Sequence, residues 1–542
     1  MTSLLALITA MAISMAIIPI MARLAPRLGM IDRPDPRKVH VVPVPRAGGV
    51  GIVLGSLVPI AAWLPLDHVV ASYLFGAMVL LLFGVWDDIK ELGHFVKFGG
   101  QFIAVIPVVY YGDLFVTHLP FMGLDTIPES IGRPFTVFAL VGMINAINHS
   151  DGLDGLAGGM SLLSLSCMAY LALMADGYLV LLIALGTIGG VFGFLRYNTY
   201  PARVFMGDGG SQFLGFTLGF LTVYLVERAN TALSPALPAL VLGLPIVDIL
   251  AVFAQRVYHG MNWFRASKNH IHHRLLQLGF DHYEAVVIIY SIQFLLVTSA
   301  VLFSYESDLL ITSFYAAVCT GVFAFLIVAE RTGWRAHSSS HVSGLTRIIQ
   351  TVKRHHLFTA VPVNIVLIAV PALFIFVSAS AAEVPHDLGV ASAILAVILF
   401  AYLIFRKRSD SMIGQAVIYV TAAFVVYLES RYFGQHTPLM DVGEIVYFVL
   451  VAVATGIIIR YDTKAEFRTT PLDYLVIFVV LFAGFLLYNL PEKADLGLMA
   501  IKLVVLFYGC ELIYARTQRK KWYVLSVSTL GSLLLLAARG VI

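Results

Sequence analysis

Five aspartates are the side chains of this sequence best placed to do chemistry, because each stands where a long apolar run meets a polar segment. They form three short groups, which are Asp87-Asp88, Asp151-Gly-Leu-Asp154 and Gly207-Asp208-Gly209-Gly210. A single aspartate at a helix end is commonly a solvated cap. Three acidic groups beside glycines instead favour one shared site, since carboxylates at membrane depth are costly and usually functional.

The chemistry that these aspartates could perform is the binding of a cation beside phosphate. Adjacent carboxylates repel each other, so they either retain a proton or bind a cation. Hard oxygen ligands with open positions suit Mg²⁺, or Mn²⁺ in its place, when substrate phosphates complete the coordination. The glycines around Asp208 would also let backbone amides approach an anion at the start of a helix.

Basic side chains gather in two further segments. The first contains His270, His272, His273 and Arg274, and it is preceded by Arg256 and Lys268. This segment favours phosphate binding over zinc, since no cysteine lies nearby and a catalytic zinc needs a further ligand. A plain basic loop is the other alternative. The second segment contains Arg37, Lys38, His40 and Arg46, and the positive-inside rule explains it equally well.

The elements that must position these residues are transmembrane helices. Of the 542 residues, 59% are apolar and 12% are charged, and the mean hydropathy is +0.88. An average soluble domain carries about 25% charged residues. The composition therefore excludes a soluble, a disordered or a fibrous protein and predicts an all-α polytopic membrane protein. The net charge of +3 is too small to indicate a nucleic acid partner.

Apolar runs long enough to cross a bilayer divide the chain into eleven predicted spans and then seven more. The first set lies near 3–25, 47–65, 69–86, 99–111, 134–149, 157–175, 178–195, 211–228, 236–257, 284–304 and 309–330. The second set lies near 358–378, 389–405, 411–428, 443–460, 472–489, 497–515 and 522–538. A polar interval at 331–357 separates the two sets.

Lysine and arginine concentrate in the odd-numbered loops between these spans, for example at Arg46, Lys97 and Arg203. The positive-inside rule then predicts that these loops face the cytoplasm and that the N-terminus faces out. All five aspartates fall on the same cytoplasmic side. Acids that can hold Mg²⁺ and bases that can hold phosphate predict phosphoryl transfer between a water-soluble substrate and a lipid-borne one.

Several separate motifs, in order along the chain, give the sequence a resemblance to a known family. They are Arg37-Lys-Val-His40 with Pro45-Arg46-Ala-Gly-Gly49, Asp87-Asp88, Asn148-x-x-Asp151-Gly-Leu-Asp154, Asn198-x-x-Pro201-x-x-x-Phe205-Met-Gly-Asp208, and His270-Ile-His272-His273-Arg274-Leu275. Over residues 1–335 the chain resembles the polyprenyl-phosphate N-acetylhexosamine-1-phosphate transferases. The His-Ile-His-His form is similar to the N-acetylglucosamine-1-phosphate branch.

This resemblance implies an eleven-helix bundle in the inner (cytoplasmic) membrane, with its catalytic cleft open to the cytoplasm. The implied reaction moves a sugar phosphate from a UDP-N-acetylhexosamine to polyprenyl phosphate and releases UMP. Its product would be the first lipid intermediate of a cell-surface glycan pathway. Direct attack by the lipid phosphate and a route through an aspartyl intermediate are both compatible with the residues.

The resemblance also implies a role for each matching residue. Asp208 corresponds to the main magnesium ligand, with Asp151 as a second ligand. The residues implied in catalysis are Asp87, Asp88, Asp151 and Asp154, of which Asp87 would position or deprotonate the attacking lipid phosphate. The residues implied in substrate binding are Lys38, His40, Arg46, Asn148, Asn198, Phe205, Lys268, His270, His272, His273 and Arg274. Asn198 and Phe205 match positions near the uridine, on which Phe205 could stack.

Residues 336–542 lie beyond the resemblance. The predicted domains are a transferase domain at 1–335, a cytoplasmic linker at 336–357 and a transmembrane extension of unassigned role at 358–542. Lys502 and Glu511 fall in one predicted helix of the extension. Snorkelling or pairing with neighbours explains them better than catalysis. The partners considered are a second copy of the chain and a downstream glycosyltransferase.

A transporter or flippase for lipid-linked sugars is the alternative function. Such a protein would place acidic residues near the bilayer midplane and on both sides of it, where they could carry coupling ions. The predicted acids instead gather at one interface of the membrane. This placement favours the enzyme.

Overall fold

A computed structural model describes residues 2–34, 42–122, 126–260, 269–337, 356–405, 412–432, 438–461, 471–488, 494–516 and 522–541. Three residues predicted to bind substrate, Lys38, His40 and Lys268, lie outside these ranges.

Helices dominate the part of the chain before residue 338. They are α1 (Thr2–Leu28), α2 (Gly48–Trp63), α3 (His68–Lys90), α4 (His94–Tyr110), α5 (Glu129–Ser150), α6 (Leu156–Met174), α7 (Tyr178–Asn198), α8 (Gly207–Tyr224, continued by a π-helical turn at Leu225–Ala229), α9 (Pro238–Val241), α10 (Gly243–Tyr258), α11 (Ile271–Gln277), α12 (His282–Leu302) and α13 (Asp308–Thr332).

These helices follow the predicted spans because apolar runs end at local stop and start signals. Asp67 accepts a hydrogen bond from the Val70 amide at 2.8 Å and starts α3, and Asp281 forms a capping box at the start of α12. Two details differ from the prediction. The span predicted at 236–257 is divided between α9 and α10, and the short span predicted at 99–111 begins earlier, at His94.

Within the described residues, twelve helices are long and apolar enough to cross a membrane, and α2 and α4 are shorter apolar helices. The protein is therefore an all-α multi-pass membrane protein, as the composition predicted. The described residues also contain one hairpin of two-residue strands, in which β1 (Ile31–Asp32) pairs antiparallel with β2 (Val44–Pro45).

The centre of the first bundle is α8, which packs against α2, α3, α5 and α6. Two glycine contacts allow this close approach. A Cβ added to Gly84 of α3 would lie 2.2 Å from the Gly209 Cα, and one added to Gly49 of α2 would lie 2.3 Å from the Gly210 amide nitrogen. Gly209 and Gly210 therefore allow close helix packing, and the anion contact expected from the sequence stays a prediction.

The described residues after position 355 form seven further helices. They are α14 (His356–Ser380), α15 (His386–Phe405), α16 (Met412–Tyr432), α17 (Pro438–Tyr461), α18 (Pro471–Tyr488), α19 (Ala494–Arg516) and α20 (Trp522–Val541). The chain forms two compact units, one of Met1–Ser338 with Thr470–Leu475 and the other of Ser339–Thr469 with Val476–Ile542.

The second unit contains charged side chains that pair with one another. Lys502 of α19 contacts the Glu429 carboxylate of α16 at 2.7 Å and also pairs with Glu444 of α17. Glu511 accepts a hydrogen bond from the Tyr419 hydroxyl. Lys502 and Glu511 thus pair with neighbouring helices, which is the explanation that the sequence favoured over catalysis.

Candidate active site

One cavity of about 650 Å³ brings all five aspartates together at a single end of the first bundle. Its walls come from the odd-numbered loops and from the helix ends beside them. Among the residues predicted from the sequence, those that line it are Arg46, Asp87, Asp88, Asn148, Asp151, Asp154, Asn198, Phe205, Asp208 and His273. The three acidic groups therefore belong to one site, although more than fifty residues separate each group from the next along the chain.

Lys97 joins two of the aspartates. Its ammonium lies 2.6 Å from the Asp87 carboxylate at the end of α3 and 2.9 Å from the Asp208 carboxylate at the start of α8. Asp87 also accepts a hydrogen bond from the Leu92 amide at 2.6 Å, which fixes its orientation. The Asp87 and Asp208 carboxylates thus face one position, and the ammonium of Lys97, from the first turn of α4, occupies it.

Asp88 and Asn148 hold Asp208 from two sides. The Asp208 amide donates a hydrogen bond to the Asp88 carboxylate at 3.2 Å, and the Asn148 side chain donates one to the Asp208 carboxylate, also at 3.2 Å. Gly207 has a φ of +72°, and a Cβ there would lie 2.4 Å from the Asp88 carboxylate. Glycine is required at this position both by the left-handed backbone and by the proximity of the acid.

The loop between α5 and α6 carries Asp151 and Asp154. Asp154 accepts a hydrogen bond from the Ala202 amide at 2.9 Å, and the Asp154 amide donates one to His282 at 3.1 Å. Removal from water raises the pKa of Asp151 to about 7, and the neighbouring Asp208 and Asp154 carboxylates act in the same direction. Without a bound cation, burial and the neighbouring carboxylates thus favour the protonated form of Asp151.

The Asn198 side chain forms hydrogen bonds to backbone groups of the protein itself. Its side chain accepts from the Gly155 amide at 2.8 Å and donates to the Val204 carbonyl at 2.9 Å, and the residue is only 3% exposed. Asn198 therefore ties the loop after α5 to the loop after α7. In this geometry Asn198 shapes the cavity, which Phe205 also lines.

Arg46 supplies positive charge from the loop after α1. It pairs with Asp32 of the hairpin, and its backbone forms a parallel bridge with Phe205. Burial lowers the pKa of Arg46, but the carboxylates of Asp32, Asp88 and Asp208 outweigh burial and raise the pKa above its usual value. The guanidinium therefore stays charged beside the acids.

The histidine motif, His270-Ile-His272-His273-Arg274, contributes one residue to the lining of the cavity. Of its four predicted ligand-binding side chains, His273 lines the cavity. The His270 ring bonds to Asp248 at 2.8 Å. Arg274 makes two bonds to Glu330, of 2.7 and 2.9 Å.

His272 lies directly behind the aspartate loop. A Cβ on Gly152 would approach the His272 Nε2 to 2.2 Å, and this nitrogen has no hydrogen-bond partner within the described part of the chain. Burial lowers the pKa of His272 well below its usual value, and the adjacent histidines His273, His270 and His282 add to the effect. A neutral buried imidazole thus supports the loop.

Sequence reasoning missed several contributors to this site. Lys97, Asp32, Tyr200 and His282 also line the cavity, and the Tyr200 and His282 rings stack with centroids 4.4 Å apart. Lys97 could have been found, since it is the first basic residue of a short apolar helix on the same side as the aspartates. Asp248 was equally visible, as the one acidic residue in the predicted span at 236–257.

Comparison with known proteins supports the family that the sequence motifs resemble. Residues 70–226 match the family described as glycosyl transferase family 4. A probable undecaprenyl-phosphate N-acetylglucosaminyl 1-phosphate transferase of Bacillus subtilis (strain 168) is 34% identical over 321 residues, which are 58% of this chain and 88% of the relative.

Two other relatives have similar names. A decaprenyl-phosphate N-acetylglucosaminephosphotransferase of Mycobacterium tuberculosis is 31% identical over 298 residues, covering 49% of this chain and 74% of the relative. An undecaprenyl-phosphate alpha-N-acetylglucosaminyl 1-phosphate transferase of Haemophilus influenzae is 30% identical over 284 residues, covering 50% and 78%. The chain therefore belongs to the polyprenyl-phosphate N-acetylhexosamine-1-phosphate transferase family, and it is an enzyme of the glycosyl-1-phosphate transferase class.

Proposed function

We propose that the protein transfers N-acetylglucosamine 1-phosphate from UDP-N-acetylglucosamine to polyprenyl phosphate, forming a polyprenyl-diphosphate sugar and releasing UMP. The observation that carries the proposal is the convergence of five aspartates with Lys97, Arg46 and His273 in one cavity at one end of the bundle. The names of the relatives supply the sugar and the class of lipid.

The donor set of this cavity fits Mg²⁺. Asp87 and Asp208 direct oxygens at one cation position, which the Lys97 ammonium shares. Within the described residues, no three carboxylates of the cavity lie close enough together to bind one ion, so substrate phosphates would have to complete its coordination. Magnesium commonly binds in this way, through one or two carboxylates together with substrate phosphates. When bound, the ion would neutralise charge on the diphosphate.

The reaction exchanges one phosphorus–oxygen bond for another. An oxygen of the lipid phosphate forms a bond to the phosphorus that carries the sugar, and the bond from this phosphorus to the oxygen of UMP breaks. Asp87 holds or deprotonates the attacking phosphate, since it lines the cavity and its carboxylate is oriented by the Leu92 amide. Arg46 and His273 hold the diphosphate in line.

The orientation of the protein follows from the distribution of its basic residues. The loops that line the cavity are those rich in lysine and arginine, so we place the cavity on the cytoplasmic face of the inner membrane. UDP-sugars are water-soluble and polyprenyl phosphate is membrane-bound, and a cavity at the interface can receive both. The product would start the assembly of a cell-surface glycan.

The decisive experiment is an assay of the purified full-length protein. UMP release and lipid product are measured with UDP-N-acetylglucosamine and a polyprenyl phosphate, with Mg²⁺ or with EDTA. We expect product that depends on both substrates and is lost in EDTA. Hydrolysis of the UDP-sugar without lipid product would contradict the acceptor, and full turnover in EDTA would contradict the metal.

A further inference from the structure

The helix that brings His273 to the cavity is too short to hold its own position. This helix, α11, has seven residues, and isolated helices of that length are not stable in water. The direction of the His273 side chain must therefore be set by contacts from other elements.

The first of these contacts is made by Asp248, a buried residue of α10 that is 7% exposed. One of its oxygens lies 2.8 Å from the His270 Nδ1, and the other accepts the Ile271 amide at 2.9 Å. A carboxylate can only accept, so Nδ1 of His270 carries the hydrogen. Asp248 thus caps the first amide of α11 and orients the residue that precedes it.

Two other contacts secure the same helix. Arg274 forms a two-bond pair with Glu330 at the end of α13, and His272 packs against Gly152 in the aspartate loop. His273 is left as the side chain of this motif that reaches the cavity.

We infer that Asp248 is a positioning residue of the transferase, which fixes His273 against the donor's diphosphate by holding His270 and the start of α11. This inference rests on the proposed function for its substrate but on the contacts of α11 for its mechanism. Asp248 does not line the cavity, so its effect must pass through α11.

Glu227 provides a matched control. It is also a buried carboxylate that accepts both a backbone and a side-chain hydrogen bond, from Thr117, and it lies at the opposite end of α8 from Asp208. Asp248→Ala and Glu227→Ala therefore remove comparable interactions from the same unit. Only the first touches α11.

The experiment measures kcat and KM for the UDP-sugar, the KM for the lipid, and hydrogen exchange of residues 271–278 in the full-length protein. We expect Asp248→Ala to lower kcat/KM for the UDP-sugar by about tenfold or more and to leave the lipid KM unchanged. Exchange in α11 should rise. Glu227→Ala should change neither kcat/KM for the UDP-sugar nor hydrogen exchange in α11, even if it lowers the melting temperature.

A double mutant tests the route. If Asp248 acts through His270, the variant with both Asp248→Ala and His270→Ala should be no less active than the less active of the two single variants. If Asp248→Ala does not fold, Asp248→Asn takes its place, because the amide oxygen can still cap Ile271 while the carboxylate that faces His270 is removed. Its expected loss is smaller but follows the same pattern.

The possible failures are separable. A wild-type protein without UMP release contradicts the proposed function, while hydrogen exchange still tests the link from Asp248 to α11. Wild-type turnover with unchanged kinetics and exchange in the Asp248 variants would overturn the inference. Multiplying losses in the double mutant would also overturn it, since independent effects would then act at the two positions.

Discussion

At the scale of single residues, the site depends on how charge is balanced among carboxylates. Asp87 and Asp208 lie close enough to share the Lys97 ammonium, and Asp208 also accepts a hydrogen bond from Asn148. Such a cluster is stabilised by a compensating cation or by a proton that one carboxylate retains. The lysine fulfils this need in part, and the proposed metal would fulfil the rest together with the substrate.

Replacing Asp208 tests this balance. Asp208→Asn keeps the size and shape of the side chain but removes the negative charge that attracts a cation. We expect the rate of UMP release to fall by at least about 10²-fold, while the purified protein remains monodisperse. Asp113→Asn is the control, because Asp113 pairs with Arg133 and Arg228 away from the cavity. Turnover of Asp208→Asn within about twofold of wild type would contradict its role.

His273 is the second residue that can be tested alone. The resemblance implied that His270, His272, His273 and Arg274 bind the donor, and in the structure His273 is the member of this set that lines the cavity. We expect His273→Ala to lower kcat/KM for the UDP-sugar by about 10–100-fold, as for the loss of one charge-assisted bond to phosphate.

UMP lacks the second phosphate and the sugar, so its affinity should change by less than about threefold. Titration of UMP by calorimetry measures this difference. His118→Ala, at the far end of the bundle beside Glu227, is the control. Equal losses of UMP and UDP-sugar affinity would place His273 at the nucleotide instead.

At the scale of elements, the position of the acids depends on how closely α3 and α8 approach. Gly84 of α3 rests on Gly209 of α8, one residue after Asp208. Asp87 and Asp88 follow Gly84 within one helical turn. The glycine contact therefore sets the distance between the two acidic groups.

A methyl group at this contact should separate them. In Gly84→Ala the new Cβ would meet backbone atoms of Gly209 at 2.2 and 2.3 Å, which a side-chain rotation cannot relieve. Overpacking of this kind costs about 1–3 kcal/mol. We expect a lower melting temperature together with a fall in turnover of about tenfold or more.

The matched control is Gly142→Ala in α5, where a Cβ meets nothing within 4 Å. This substitution adds the same methyl group to another membrane helix and should leave both stability and turnover near wild type. Wild-type turnover in Gly84→Ala would show that the spacing of α3 and α8 does not govern the site.

At the scale of the whole molecule, every residue proposed for catalysis belongs to the unit of Met1–Ser338 with Thr470–Leu475. The second unit has an apolar core and the buried pair of Lys502 with Glu429. We propose that it serves a partner, a lipid path or regulation rather than the chemistry.

Truncation tests this division. A chain that ends at residue 338 keeps all helices of the cavity, so we expect it to retain UMP release in detergent within about tenfold of the full chain, with lower thermal stability. The truncated chain carrying Asp208→Asn is the control, since residual activity must come from the same site. A truncated protein that is monodisperse and binds UMP, yet makes no lipid-linked sugar, would show that the second unit contributes to catalysis.

The sequence by itself determined the membrane class, the positions of the helices and the identity of the acidic groups. Apolar length, helix caps and the distribution of lysine and arginine are local properties, and they can be read along the chain. The ordered motifs also predicted the family, which the relatives confirmed.

Only the tertiary structure decided which of these residues face the cavity. His270, His272 and His273 are equivalent in a sequence, but their directions depend on Asp248 and Gly152, which lie far from them along the chain. Lys97 and Asn198 likewise acquire their roles from partners elsewhere in the chain, Lys97 from Asp208 of another helix and Asn198 from Gly155 of another loop. Long-range packing sets the direction of a side chain, and no local pattern records which distant carboxylate will hold it.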